Sequence, residues 1–146
     1  MPPHKQVKFI LESRQSAENG SLSDAESMTQ TYTADLFIRN EALYYRYDEI
    51  DAAMGQTTTT IKVKEDEISV LRHGDVSSEQ RCSMEAGTSG FFRFSKGTLF
   101  MQLYTRSMEI ALEDGFGHLK WRYDLFLEGE HASTHSLHIK IEPLKS

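Results

Sequence analysis

The sequence predicts an all-β fold, an antiparallel up-and-down barrel of about 8–10 strands in meander order. Three observations lead there. Apolar and polar residues alternate with period two in segment after segment, and turn residues separate the segments about every eight to twelve positions. No window carries a 3.6-residue apolar period with helix caps. The C-terminal segments can also be paired so that one face is apolar and the other charged, as a one-sided sheet requires.

Taken in order, the chain opens on a strand-compatible stretch and then reaches "SRQSAENGSLSDAES", Ser13 to Ser27, which reads as one long acidic, Ser-rich loop. After it, "TYTADLFI" and "ALYYRYDEI" flank a turn at Arg39-Asn40, and "TTTTIKVK" and "EISVLRH" flank Glu65-Asp66. "VSSEQRCSM" follows Gly74-Asp75, and "GFFRF" and "TLFMQLY" flank Lys96-Gly97. "SMEIALE", "HLKWRYDLFLE" and "STHSLHIKIE" complete the series, with a turn expected at Thr105-Arg106. Repeats of fixed length are lacking, which argues against a propeller or solenoid.

Pairing can be tested on side-chain parity, because a one-residue slip sends every side chain to the opposite face. A three-residue turn at Gly129-Glu130-His131 sets Leu125 opposite His135, Tyr123 opposite Leu137, Trp121 opposite Ile139 and Leu119 opposite Ile141. A loop over Asp114–Gly117 sets Leu112 against Leu119, Ile110 against Trp121 and Met108 against Tyr123. The opposite face then carries Lys120, Arg122, Asp124, Glu109 and Glu113. A sheet of about ten such strands tends to curl and close, which removes its open edges.

A chain of 146 residues fits one domain, 1–146, large enough to bury a core without metal or disulfide support. The net charge of -6 argues against nucleic acid as a partner, since phosphate binding rests on clustered Lys and Arg. No apolar stretch is long enough for a membrane-spanning helix, and "MPPHKQVKF" lacks the apolar run of a signal peptide. Cys82 stands alone, so no internal disulfide can form and a reducing cytoplasm is the expected compartment.

Several stretches taken together resemble the small bacterial YwiB-like family. They are "ALYYRYDE", "TTTTIKVKEDEISVLRHGDVSSEQR", "KGTLFMQLYTRSMEIAL" and "GHLKWRYDLFLEGEHASTHSLHIKIE", which match in order and spacing from roughly Glu41 to Glu142. The resemblance implies a lipocalin- or calycin-like barrel of bacterial cytoplasmic origin and uncharacterised function, and it brings no catalytic residues. Two departures stand out. The family's Pro-Phe-Gly-Thr type step is replaced by the Ser-Lys-Gly-Thr of "SKGTLF", and the first loop is individual.

In a barrel the informative residues are polar ones in phase with inward apolar ones, because buried polar groups need partners. A tight turn at Glu65-Asp66 pairs Val63 with Ile68, Ile61 with Val70 and then Thr59 with Arg72. Gln80 shares the inward phase with Val76 and Cys82, and Tyr45, Tyr47 and Glu49 follow Leu43. One end of the barrel can therefore gather Thr59, Arg72, Gln80, Glu49 and the two tyrosines, with Trp121 on a wall and His135 inward at an undetermined height. In the functional reading Arg72 holds a carboxylate or phosphate of a small ligand. In the plainer reading Arg72 and Glu49 form an ion pair that closes a filled barrel.

No cofactor, metal or catalytic residue is expected. His131 and His135 would stand about 13 Å apart along a strand, with His138 on the other face, so no local zinc site follows. Cys82, in the inward phase, reads as a small buried hydrophobe. "GFGHLK" lacks the third glycine of a dinucleotide loop and runs into a strand. Phe91 and Phe92 fall on opposite faces, with Phe94 in phase with Phe92, and Phe100 and Tyr104 lie opposite to Leu99, Met101 and Leu103. The aromatics left on the outer side would be covered by the first loop, a terminal segment or a partner. The expected function is binding of a small anionic or amphipathic ligand inside the barrel. The alternative is a homodimeric or protein-interaction module with a filled interior, and an enzyme ranks below both.

Overall fold

The computed structural model describes residues 5–17, 26–51, 55–84 and 87–144. They form ten strands: β1 (Lys5–Ala17), β2 (Glu26–Arg39), β3 (Ala42–Asp51), β4 (Gly55–Lys64), β5 (Glu67–Gly74), β6 (Ser77–Ser83), β7 (Gly87–Phe94), β8 (Gly97–Glu113), β9 (Phe116–Leu127) and β10 (Glu130–Pro143). Each strand pairs antiparallel with its neighbours in sequence, and β10 pairs with β1 to close the barrel. The expected meander is the observed topology.

Alternation dictates the two faces. Val7, Phe9, Leu36, Tyr45, Ile68, Leu103, Leu119, Ile139 and Ile141 point inward and are fully buried. Lys120, Arg122, Glu109, Glu113 and Lys140 point outward and are exposed or nearly so. Burying the apolar set on one side of every strand is the dominant driving force for closure.

Six local expectations are corrected. Two turns sit one residue from their expected places, at Asn40-Glu41 after β2 and Ser95-Lys96 after β7, because Arg39 pairs with Ala42 and Phe94 with Gly97. The long loop is shorter than Ser13–Ser27: β1 continues to Ala17 and β2 begins at Glu26, and the intervening residues lie outside the described ones. Thr105-Arg106 is not a turn. β8 runs unbroken through it, with a bulge between Thr105 and Ser107.

The last two hairpins are shifted by two residues from their expected register. Asp114 and Gly115 make a two-residue turn with φ of 55° and 85°, so Leu112 faces Gly117, Ile110 faces Leu119 and Met108 faces Trp121. Positive φ at both central positions is the type whose twist suits a hairpin. Glu128 and Gly129, with φ of 53° and 81°, do the same for β9 and β10. A bulge between His131 and Ser133 then restores parity, giving Leu125 opposite Ser133, Tyr123 opposite His135, Trp121 opposite Leu137 and Leu119 opposite Ile139. A shift of two keeps each side chain on its face, so the apolar wall survived the error.

The turns after β2, β4 and β8 gather at one end of the barrel, and the ends of β1, β3, β5, β7 and β9 gather at the other. The first end is plugged. The Tyr45 hydroxyl donates to the Gly115 carbonyl at 2.7 Å, and the Lys5 ammonium donates to the Asp114 carbonyl at 2.6 Å. The second end holds the cavity.

Candidate functional site

At that second end the interior opens into a cavity of about 310 Å³, at the small end of the range for ligand sites. Its floor follows from ladder arithmetic. Thr59 pairs with Arg72 near the rim, and one inward step deeper Ile61 pairs with Val70. Ile61 and Val70 join Leu11, Trp121 and Ile139 as the apolar lining, and Glu49, Arg72, Gln80 and His135 add the polar part.

Six of the eight expected site residues line this cavity together: Tyr47, Glu49, Arg72, Gln80, Trp121 and His135. Thr59 is buried beside Arg72 on the ladder but does not reach the wall. Tyr45 belongs to the plugged end, where its hydroxyl anchors the turn between β8 and β9.

Several of the polar groups are already engaged. The Tyr123 hydroxyl donates to Gln80 Oε1 at 3.1 Å, and Gln80 Nε2 contacts Met101 Sδ at 3.7 Å. Tyr47 packs on Phe9 and Tyr32, with ring centroids 5.2 and 4.4 Å away. His135 stacks on Tyr123 at 4.9 Å, and its Nε2 lies 2.7 Å from Ser133 Oγ.

Burial sets the protonation states. It raises the Tyr47 and Tyr123 phenols above their ordinary range, with Glu49 adding to the effect at Tyr47. It pushes the Cys82 thiol up to about 11, and it lowers the His135 imidazole below 6.5. These groups are therefore neutral near pH 7, and the charged lining residues are Arg14, Glu49 and Arg72.

Arg72 and Glu49 are only loosely paired. Nε and Oε2 stand 3.9 Å apart, too far for a hydrogen bond. Arg72 Nε is buried and has no hydrogen-bond partner among the described residues, and the same holds for Thr59 Oγ1 and Ser78 Oγ on either side of it in the ladder.

A second polar cluster sits on the outer face, where the bulges of β8 and β10 flank β9. Arg106 Nε meets Asp124 Oδ2 at 2.6 Å, Thr134 Oγ1 donates to Oδ1 at 2.8 Å, and His131 Nε2 is 3.5 Å from Oδ1. Burial alone would raise the Asp124 carboxyl, but the bonds from Arg106 and Thr134 outweigh it and hold it below the usual range. The bulge in β10 turns His131 outward, away from His135, which adds to their separation.

Sequence reasoning missed the part of the wall given by β1 and β2, namely Leu11, Ser13, Arg14, Gln15, Met28, Gln30 and Tyr32. Several of these fall at or beside the segment read as loop, so their alternation carried no weight. Tyr123 was legible, because it shares parity with Trp121.

The chain is thus a closed, sequentially wound ten-strand antiparallel barrel with a polar-rimmed cavity at one end and a plug at the other. It belongs to the family described as "Domain of unknown function (DUF1934)", whose match spans residues 10–139. It is 28% identical over 136 residues, 93% of this chain and 89% of the relative, to the "Uncharacterized beta-barrel protein YwiB" of Bacillus subtilis (strain 168). The crystal structure of ywiB protein from Bacillus subtilis superimposes with a TM-score of 0.79 at 24% identity, covering 96% of this chain and 94% of that one. The resemblance read from the strand sequences is therefore confirmed at the level of family and fold.

Proposed function

We propose that this barrel binds a small amphipathic molecule bearing an anionic group, with the anion at Arg72 and the apolar part on the floor below. One observation carries the reading: a buried guanidinium nitrogen with no hydrogen-bond partner among the described residues, at the rim of an apolar-floored cavity. A buried donor left unmatched costs about 1–3 kcal/mol, and the side chain that carries it also lines the cavity, where a ligand carboxylate or phosphate would gain a charge-assisted bond from the guanidinium. The lipocalin-like use of a barrel interior for one small ligand fits this volume. A cytoplasmic setting agrees with the lone, buried Cys82.

Native mass spectrometry of protein purified under mild conditions tests the reading, with a bound mass expected in the unaltered chain and its loss in Arg72→Ala. If Arg72→Ala leaves both the bound species and the melting temperature unchanged, the proposal fails.

A second reading, a homodimer through the β7–β8 side, is favoured by Phe100 and Tyr104, which share the outer face of β8 and are 75% and 38% exposed. Gel filtration across a wide concentration range decides it. A single monomeric elution volume would dispose of the dimer.

A further inference from the structure

Glu49 and Arg72 both line the cavity, and both are largely withdrawn from solvent, Glu49 at 6% and the Arg72 side chain at 21% exposure. Opposite charges therefore stand side by side at one rim, 3.9 Å apart, with no hydrogen bond tying them together. A ligand carrying only an anion would meet Arg72 with the Glu49 carboxylate beside it, and that like charge opposes it in a poorly screened site. A ligand carrying only a cation faces the converse at Arg72. The partner that satisfies both has its own adjacent charges, one of each sign.

Resting on the reading above, we infer that the ligand is a zwitterion of the α-amino acid type with a large apolar side chain. Its carboxylate meets Arg72, its ammonium meets Glu49, and its side chain descends among Ile61, Val70 and Trp121. A single carbon separates the two charged groups of an α-amino acid, which suits a pair of protein charges set this closely. Gln80 and Tyr123 are occupied with each other, and Arg14, the other charged lining residue, stands 3.8 Å from Glu12, so none of them competes directly with the Glu49–Arg72 pair. The volume admits one ring-bearing side chain and is too small to enclose a long acyl chain.

Trp121 is the one tryptophan of the chain and lines the cavity, so its emission reports on occupancy. The full-length protein is titrated with L-phenylalanine, with 3-phenylpropionate, which lacks the ammonium, and with 2-phenylethylamine, which lacks the carboxylate. Calorimetry confirms each constant. L-phenylalanine should bind at least about tenfold more tightly than either analogue, the loss expected for one charge-assisted contact. Glu49→Gln should reduce L-phenylalanine to the affinity of 3-phenylpropionate, and Arg72→Gln to that of 2-phenylethylamine.

Equal binding of L-phenylalanine and 3-phenylpropionate overturns the zwitterion and leaves the anion reading standing. Failure of all three to bind also overturns it, and the native mass spectrum then judges the anion reading separately. Should a variant fail to fold, the three-ligand comparison on the unaltered protein still decides.

Discussion

The Tyr45 hydroxyl illustrates how one polar atom closes one end of this barrel. Its ring is fully buried against Phe9, and its donor reaches the Gly115 carbonyl in the turn between β8 and β9. Tyr45→Phe keeps the ring and orphans that carbonyl, so it should cost about 1–3 kcal/mol in urea unfolding. A change below a few tenths would show that the hydroxyl does not hold the turn. Cys82 is a residue of the other kind, polar in name and apolar in behaviour. Burial moves its thiol from 9.0 to about 11, which lowers the thiolate fraction at pH 8 about a hundredfold. Ellman's reagent should therefore react at least that much more slowly with the native chain than with the urea-unfolded one. Comparable rates would mean that the cavity wall at Cys82 opens freely. Both residues were placed inward by parity alone, but parity could not tell that Tyr45 faces the plug and Tyr47 the cavity. That difference is one of height along the barrel axis.

At the scale of elements, hairpin turns and bulges decide which residues meet. Gly117 follows the β8–β9 turn at φ 137°, and a Cβ there would overlap the Ala111 carbonyl oxygen. Gly129 has φ 81°, and a Cβ there would meet nothing within 4 Å. Gly129→Ala should thus cost only the backbone preference, about 1–2 kcal/mol. Gly117→Ala should cost distinctly more, because the ladder must also open. Denaturation midpoints of the two variants give the comparison, and equal losses would refute the close approach. Both two-residue turns were written in the sequence as Asp114-Gly115 and Glu128-Gly129. The bulge in β10 was not, since the extra residue, Ala132, has no side-chain chemistry that marks it. Without the bulge, a three-residue loop looked necessary to keep apolar residues on one side.

Across the whole molecule, titration of buried groups sets how stability follows pH. His135 and His138 both have lowered values, His135 through burial and His138 through burial together with Lys120, His118 and Lys140. The unfolded chain then takes up protons before the native one does, so stability is lost as pH falls below the ordinary imidazole value of 6.5. Asp124 acts at lower pH. Its carboxyl is depressed in the fold, so its stabilisation is present above the ordinary 3.8 and disappears as pH falls through the depressed native value. Melting temperatures should therefore decline from pH 7 to pH 5 and decline again below pH 4. His135→Gln should flatten the first decline and Asp124→Asn the second. If both variants keep the parent profile, the acid sensitivity lies in other groups.

Alternation along each strand was enough to determine the topology, the inward wall and most of the residues that meet at the cavity, because side-chain period is local and closure follows from burying one face. Six of the expected site residues share the cavity for that reason. The tertiary structure alone decided the height of each residue along the axis, the two-residue register shifts, and the share of the wall contributed by β1 and β2. It also decided that Arg72 and Glu49 stop short of a hydrogen bond. Those properties depend on how strands stagger around a closed cylinder, which couples distant segments and leaves no periodic trace in any one of them.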